Sequence, residues 1–504
     1  MLVSRRWLQL LSILFAFALV ATACGDDDEG GSEDPVETED SGADADDPPA
    51  DEGGDDGAED PPADEGGDDG ADEGAGAGAE GLSDFTPRGP AEGDPIKIGF
   101  QNPEGDPAGS FPEYSAGAQA AVDYINEELG GLGGRPIELD VCVMAITPDD
   151  SQRCANELSA DGVEFAFSSL NFFGNHFSIY QGSNIPVVVG TPITVGDFTA
   201  EGVFSIGTGG GCLGTHTGLV YFGTQLLPEI TGEPVERVSV PWADTPPGVV
   251  CYYDLEAKPL DVLNGTVPGD SELAGTMPNL EHIGVPILPG AADVTAQATE
   301  VLDFDPDVIM YSAQGADCWT FVDALGRLGW TPDDVPLLLS TACVDFTAME
   351  QAGELAVGIY FVGAGGTLTT APEALPEGSK ERIEAELYQT KALEYGMSED
   401  DLTKGFGTAG FSNMIKIWEM ANIVVDGGGE VTGQSLADAF AATDNTPVFS
   451  STPLDCANAP APYVAVCDSS VAVNQWDGEN LIPVESEISG IDLVSGTELQ
   501  PGPS

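Results

Sequence analysis

Apolar residues follow two different periods along the chain from residue 95 onward. Short runs such as Ile96–Phe100 are apolar at nearly every position, which is typical of strands that are buried on both faces. Between these runs, apolar residues recur three and four positions apart, as in Ala118, Ala121, Val122 and Ile125. That spacing is typical of helices with one buried face. Strands that alternate with helices predict parallel sheets with helices on both faces.

The two periods predict where each element lies. The strands are predicted at residues 96–100, 137–143, 165–167, 185–190, 203–206, 238–240, 283–288, 308–311, 337–339 and 359–362. The helices are predicted near 114–129, 150–159, 175–181, 249–263, 294–302, 318–328, 379–395, 406–425 and 435–442. About 400 residues is too long for one hydrophobic core, so we expect two domains.

The first residues have the pattern of an export signal. Arg5 and Arg6 precede an apolar run, Trp7–Val20, that is shorter than the about 20 residues of a membrane span. The run ends in small residues directly before Cys24, which resembles the lipobox of bacterial lipoproteins. The resemblance implies a signal peptide over 1–23 and a lipid on Cys24. The mature protein would then be anchored to the outer face of the cell membrane without spanning it.

Residues 24–94 form an acidic segment with almost no apolar side chains, and the stretch 48–58 nearly recurs at 61–71. Such a composition cannot offset the entropy lost on ordering, so we predict a disordered, extended tether. The aspartates do not have the spacing of an EF-hand calcium loop.

The charge balance excludes one class of partner. The chain has 14 Lys and Arg against 87 Asp and Glu, a formal net charge of −73. Nucleic-acid binding needs a basic surface, so no nucleic-acid partner is expected.

Eight cysteines remain after Cys24, and an even number in an exported chain favours disulfides. The sequence by itself allows 105 pairings of eight cysteines. The chain has no C-x-x-C pair and only three histidines, His176, His216 and His282, so no metal is expected.

Several stretches of the body resemble type I solute-binding proteins of ABC transporters, the branched-chain amino acid-binding class. They cover about residues 95 to 490, and their order and spacing carry the resemblance more than any one of them. The matching stretches are Ile96–Phe100 followed by Gly117–Asn126, Gly133–Leu139, Ser168-Ser169, Thr191-Pro192, and Arg237–Val240 followed by Ala243–Gly248.

The resemblance implies an α/β fold with two Rossmann-like lobes, three crossovers and a ligand cleft between the lobes. Lobe one would hold 95–207 and 355–450, lobe two 208–354 and 451–490, and 491–504 would be a C-terminal tail. The proximity of elements in this fold favours the pairs Cys142–Cys154, Cys212–Cys251, Cys318–Cys343 and Cys456–Cys467. Ligands of such folds bind at the carboxyl ends of the strands.

The resemblance also implies the residues that contact the ligand. They are expected to be Ser168, Ser169, Thr191, Pro192 and Phe111 from lobe one and Asp244, Gln314 and Thr341 from lobe two. Each has a plainer interpretation: the serines and Asp244 as helix caps, Thr191 as a turn residue, and Phe111 as a core residue. Amino acid-binding relatives have a glutamate after the lobe-two strand, but residues 339–345 contain none. Amides, urea-like molecules, small acids and aromatic compounds therefore stand beside amino acids as ligands.

We therefore predict a non-enzymatic protein without cofactors that captures a small polar metabolite and delivers it to an ABC permease. An alternative is a sensor of the same fold that presents its closed form to a receptor. An enzyme and an adhesive or structural lipoprotein are further alternatives. The stretch Gly209–Gly214 matches the dinucleotide pattern G-x-G-x-x-G, but it lies at the expected crossover rather than in an opening βαβ unit.

Overall fold

A computed structural model describes residues 83–363, 366–450 and 452–497. The predicted signal peptide, the lipidation at Cys24 and most of the tether lie outside the described residues. The prediction ended the tether at residue 94, yet the chain is packed from Ser83 onward. The Phe85 ring lies 5.5 Å from the Trp418 ring, and Ser83 donates a hydrogen bond of 2.5 Å to Glu419. One aromatic residue in an acidic stretch is enough to fix this end of the tether.

The ten predicted strands all form, and two further strands follow them. They are β1 (Ile96–Pro103), β2 (Ile137–Met144), β3 (Phe165–Ser168), β4 (Val187–Val189), β5 (Val203–Ser205), β6 (Arg237–Ala243), β7 (Glu281–Ile287), β8 (Val308–Tyr311), β9 (Leu337–Ser340), β10 (Tyr360–Gly363), β11 (Val471–Trp476) and β12 (Leu481–Ile488). Strands β11 and β12 were not predicted.

The predicted helices also form, and further short helices join them. They are α1 (Pro112–Glu127), α2 (Pro148–Ala160), α3 (Phe177–Gly182), α4 (Val195–Thr199), α5 (Cys212–Tyr221), α6 (Leu227–Thr231), α7 (Pro246–Tyr252), α8 (Lys258–Asn264), α9 (Thr295–Asp303), α10 (Ala316–Arg327), α11 (Phe346–Ala352), α12 (Lys380–Glu394), α13 (Glu399–Leu402), α14 (Gly405–Asp426) and α15 (Gly433–Ala441). In the described ranges, no helix has both the length and the apolarity that a bilayer span needs.

The strands form two sheets, each the centre of one lobe. The first sheet has the order β2-β1-β3-β4-β5 and is parallel throughout. The second has the order β12-β11-β10-β9-β8-β6-β7, and its strands β6 to β10 are parallel. Both sheets have helices on both faces, so the central strands are almost fully buried. The predicted α/β architecture with two lobes is confirmed.

The second sheet ends in an antiparallel hairpin, β11–β12, where only parallel strands were expected. Four residues, 477–480, connect the two strands, which is too short for a parallel crossover. The Asp477 carboxylate accepts the backbone N–H groups of Glu479 and Asn480, and Gly478 has a φ of +105°. Asp-Gly between two apolar runs is a hairpin signal that the helix–strand alternation concealed.

The chain passes between the lobes three times, after β5, after β10 and after α15. Strand β10 pairs with β9 in the second sheet, although the predicted division placed 355–450 in lobe one. The return to lobe one therefore follows Gly363. The helices after it, α12, α14 and α15, contribute Tyr388, Trp418 and Phe440 to the core of the first lobe.

Helix α14 carries charged side chains into that core. Lys416 is fully buried, and its Nζ donates a hydrogen bond of 2.8 Å to the carbonyl of Ile206, directly before the first crossover. Glu419, 5% exposed, accepts hydrogen bonds from Ser83 Oγ and from the backbone N–H of Phe449. Helix α14 therefore holds three distant parts of the chain together through buried and partly buried polar contacts.

The four expected disulfides are present: Cys142–Cys154, Cys212–Cys251, Cys318–Cys343 and Cys456–Cys467. Each disulfide joins segments that lie side by side; the second, for example, joins the first turn of α5 to α7. The pairing could be inferred only through the fold, because sequence separation does not say which helices lie side by side.

Burial of Glu419 predicts that stability falls as the pH rises. Desolvation raises the pKa of this carboxyl from 4.5 to about 7. The contribution of Glu419 to the free energy of unfolding is complete below pH 4.5 and is lost as the pH rises through about 7. The reason is that the folded state retains the proton more strongly than the unfolded chain. We expect Glu419→Gln to lessen the decline in unfolding free energy between pH 4.5 and 8 by about 3 kcal/mol, measured by urea denaturation. Glu386→Gln, at an exposed ion pair with Arg382, is the control and should keep the wild-type slope.

Candidate functional site: a cavity between the two lobes

A cavity of about 160 Å³ lies where the carboxyl ends of both sheets face each other. Its wall combines residues that follow β3 and β4 and the start of α14 with residues that follow β6, β8 and β9. The side chains that define it are Leu170, Phe172, Thr191, Ile193, Thr215, His216, Trp242, Thr245, Pro247, Ser312, Gln314, Asp317, Ser340, Thr341, Phe406, Thr408, Ser412, Asn413 and Ser450. Most of this wall is apolar or hydroxyl-bearing, and none of the described residues that form it is a lysine or arginine.

Three of the predicted contact residues line this cavity: Thr191, Gln314 and Thr341. Thr191 follows β4 in the first lobe, whereas Gln314 and Thr341 follow β8 and β9 in the second. The fold brings them to one space although up to 150 positions separate them in the sequence. Contact of these three residues with a ligand stays a prediction.

The two predicted serines do not line the cavity. Ser168 and Ser169 are both fully buried at the end of β3. The hydroxyl of Ser169 lies 2.9 Å from the Gln101 carbonyl and 2.7 Å from Asn102 Oδ1, so it joins β3 to the end of β1. These serines lie one layer beneath the wall, which Leu170 and Phe172 form.

The other three predicted residues also lie outside the cavity wall. The Pro192 carbonyl accepts the N–H of Cys212 at 2.9 Å. Asp244 is exposed and precedes Thr245, whose hydroxyl caps α7. Phe111 is 4% exposed and packs edge-on against Phe406, which does line the cavity. Phe111 is therefore a core residue, as its plainer interpretation has it.

A buried polar cluster shapes the wall of the first lobe. The Nδ2 of Asn413, on α14, donates a hydrogen bond of 3.2 Å to the Tyr114 hydroxyl, which lies 3.4 Å from Thr191 Oγ1. Burial raises the pKa of Tyr114. A Cβ on Gly190 would lie 2.1 Å from the Tyr114 hydroxyl oxygen, so only glycine fits there. The cluster therefore fixes the orientation of Thr191 at the wall.

The second lobe contributes the one carboxylate of the wall, Asp317. It lies in the first turn of α10, and its Oδ1 accepts the N–H of Gly290 at 2.9 Å. Burial raises the pKa of Asp317, and that hydrogen bond opposes the rise. Amino acid-binding relatives have a carboxylate close to the position of Thr341, but here Asp345 caps α11 by accepting the N–H of Ala348. No local sequence pattern marked Asp317 as a residue of the cavity wall, because its position depends on how the loop after β8 turns.

The histidines have different environments. His176 is fully buried against Phe177, and burial lowers its pKa to about 3. His216 instead lines the cavity from α5 and lies 3.0 Å from the buried Glu256. The sequence predicted no ligand contact for either histidine. In the described part of the chain, donor atoms of Cys212, His216 and Cys251 lie within 4.8 Å of one another, but the two sulfurs are joined in a disulfide.

Residues 95–225 match the family model of periplasmic binding proteins. A leucine binding protein, LivK, from Thermotoga maritima has a similar structure, with 15% identity, a TM-score of 0.55, and coverage of 78% of this chain and 99% of that one. The substrate binding protein LivJ of a Streptococcus pneumoniae branched-chain amino acid transporter, solved with isoleucine, has 15% identity, a TM-score of 0.55, and coverage of 79% and 100%. An ABC transporter substrate-binding protein from Sphaerobacter thermophilus has 18% identity, a TM-score of 0.56, and coverage of 79% and 99%.

The chain has the type I periplasmic-binding-protein fold. The resemblance seen in the sequence is thereby confirmed at the level of the fold. No curated protein matches the sequence. In a periplasmic-binding-protein fold, the cavity between the lobes is the natural site for a ligand, because strand ends and helix starts from both sheets converge there.

Gly190→Ala tests the tight packing behind the wall. The added methyl group meets the Tyr114 hydroxyl, the Phe167 ring and the Asn413 amide, all within 2.8 Å. We expect a loss of about 1–3 kcal/mol in unfolding free energy, measured by chemical denaturation. Gly182→Ala is the matched control, since its Cβ has no atom within 4 Å and its φ is not positive. Equal stability of the two variants would contradict this account of Gly190.

Proposed function

We propose that this protein is an extracytoplasmic solute-binding lipoprotein that captures a small polar metabolite between its lobes and delivers it to an ABC permease. The observation that carries the proposal is the cavity, whose wall comes from both lobes at the carboxyl ends of their sheets. A ligand in such a place contacts both halves at once. It stabilises the closed arrangement by the contacts that an open one lacks.

The size and lining of the cavity support a small ligand. Its 160 Å³ is close to the roughly 150 Å³ of a protein cavity that holds benzene. Leu170, Phe172, Ile193, Trp242 and Phe406 would contact an apolar body. Hydroxyl groups of Thr191, Thr341 and Ser412, with the amide of Gln314, would orient a polar end.

Contacts between the lobes support the closing movement. The N–H of Gly405, at the start of α14, donates to the carbonyl of Val344 in the second lobe at 3.3 Å. Nearby, the Thr347 hydroxyl donates to Asp400 at 3.2 Å. Neither of these two contacts is a short, fully buried hydrogen bond, so the contacts that a ligand makes with both lobes would add to the stability of the closed arrangement.

The chemistry of the wall favours binding over catalysis. Cys212 and Cys251 are bonded to each other, so neither offers a thiolate nucleophile. The buried hydroxyl of Ser340 donates to the Ala313 carbonyl at 2.7 Å, so its proton is engaged by the backbone.

A ligand screen tests the proposal directly. We expect at least one small metabolite in a broad library of amino acids, amides, organic acids and aromatic compounds to raise the melting temperature of the full chain. At 100 times its Kd, a ligand stabilises the folded state by about 2.7 kcal/mol. Isothermal titration calorimetry would then measure its Kd. A library of this breadth without any binder would overturn the proposal.

Thr191→Val and Thr341→Val test the predicted contacts. Each removes one hydroxyl from the cavity at constant shape, so the Kd of a library hit should rise about three- to tenfold by calorimetry. Thr276→Val, at an exposed position of the second lobe outside the cavity, is the control and should leave the Kd unchanged. Wild-type affinity in both cavity variants would remove Thr191 and Thr341 from the site.

Cys24→Ser tests the anchor. The wild-type protein should fractionate with membranes of a bacterial host, and mass spectrometry should find a lipid on Cys24. The variant cannot form the thioether, so it should lose the lipid and leave the membrane fraction. An unmodified cysteine in the wild-type protein would contradict the lipoprotein part of the proposal without affecting ligand capture.

A further inference from the structure

A buried histidine–carboxylate pair lies against the cavity in the second lobe. His216 lines the cavity, is 7% exposed, and has its Nδ1 3.0 Å from Glu256 Oε1. Glu256 is fully buried. Because Nδ1 faces Glu256, Nε2 is the ring nitrogen that remains for a ligand in the cavity.

An unusual backbone conformation positions the Glu256 carboxylate. Glu256 lies in a π-helical turn, Tyr253–Ala257, between α7 and α8. A second π-helical turn, Phe222–Leu226, follows α5, the helix that carries His216. Such turns are rare in soluble proteins and occur preferentially at functional sites. The Cys212–Cys251 disulfide joins α5 to α7 one turn before His216, which holds the imidazole and the carboxylate together.

The pair determines what His216 offers to a ligand. Desolvation raises the pKa of Glu256, and His216 opposes that rise. Glu256 thus engages Nδ1 from inside the lobe and leaves the other ring nitrogen, Nε2, for the cavity. A ligand carboxylate at Nε2 would place the ring between two carboxyl groups, and N–H groups on both ring nitrogens would satisfy both of them. Toward such a ligand, His216 is an N–H donor rather than an acceptor.

Among the described residues of the wall, no other group has this character, since none is a lysine or arginine and the other ionisable side chain, Asp317, is an acid. Of these residues, His216 is thus the one side chain that can carry positive charge. Hydrogen bonds from such a donor to a carboxylate are roughly twice as strong as those between neutral groups.

We infer that His216, positioned by Glu256, selects ligands with a carboxylate group and an apolar body over their neutral amides. The inference rests on the proposed function and narrows its ligand to one chemical class. Glu256 contacts no ligand and acts as a positioning residue through the imidazole. The apolar body would lie against Trp242, Phe172 and Phe406.

Matched acids and amides test the inference. The probes are 4-methylpentanoate with 4-methylpentanamide, phenylacetate with phenylacetamide, and L-leucine with L-leucinamide, titrated into the full chain by calorimetry at pH 6. The wild-type protein should bind the acid of at least one pair about tenfold or more tightly than its amide. His216→Phe combined with Glu256→Met replaces the pair by apolar groups of similar volume, which proteins often tolerate, and should reduce that ratio to about one.

A second double variant keeps the inference testable should the first not fold. His216→Gln with Glu256→Gln retains an N–H donor but no charge, so its acid-to-amide ratio should lie between the other two. His282→Phe is the control, since His282 pairs with Asp261 elsewhere in the same lobe and should leave the ratio unchanged. An unchanged ratio in either double variant would overturn the inference.

The outcomes separate this inference from the proposed function. Equal binding of acids and amides by the wild-type protein would refute selection by His216. A library ligand without an acidic oxygen would do the same while leaving solute capture intact. Failure of every probe and every library compound would reject both.

Discussion

Burial of two parallel sheets on both faces is the constraint on which the rest of this molecule depends. Strands such as β3 and β9 are buried at every position and apolar at all but the last, so neither face meets water. Helices must cover both faces, and each helix must return the chain to the same end of the sheet. The loops after the strands therefore collect at the carboxyl edges. Two such edges face each other, and the cavity is the space between them.

The first sheet cannot cover itself with the helices that its own strands supply. Helix α14 completes it, although β6 to β10 of the other lobe intervene in the sequence. Its small residues permit the approach: a Cβ on Gly410 would lie 2.2 Å from the Tyr114 carbonyl of α1. Lys416 then binds the chain just before the first crossover, and Glu419 binds Ser83 in the segment before β1. The same helix contributes Asn413 and Ser412 to the cavity wall, so the packing of lobe one and the shape of the site are coupled.

The crossovers meet in a small polar junction beside this helix. Gly209, Gly210 and Gly211 all have positive φ values, and the N–H of Gly209 donates to the buried carboxylate of Asp468 in the third crossover. The glycines of the pattern G-x-G-x-x-G at 209–214 thus permit the backbone conformation of the crossover. A Cβ on Gly211 would lie 2.3 Å from the Pro192 carbonyl, so the glycine allows α5 to begin directly beneath the loop after β4. That start brings His216 to the cavity.

The sequence by itself determined the elements and the fold class. Apolar runs located β1 to β10, because a strand buried on both faces is a continuous apolar run. Such a run can be recognised without knowing what packs against it. Helical periodicity located α1, α2 and α14 for the same reason. Short helices such as α4, and the β11–β12 hairpin, were missed because their local pattern is brief and turn residues dominate it.

Only the tertiary structure decided which polar residues face the cavity. Ser168 ends one strand of the first sheet and Thr191 follows the next, yet Ser168 is buried beneath the wall and Thr191 belongs to it. Asp317 and His216 gain their positions from a loop and from a helix start that carry no distinguishing spacing. Glu256 reaches His216 through a π-helical turn that no apolar period indicates. A local pattern reports whether a face is buried, but the direction of one side chain depends on segments packed against it from far along the chain.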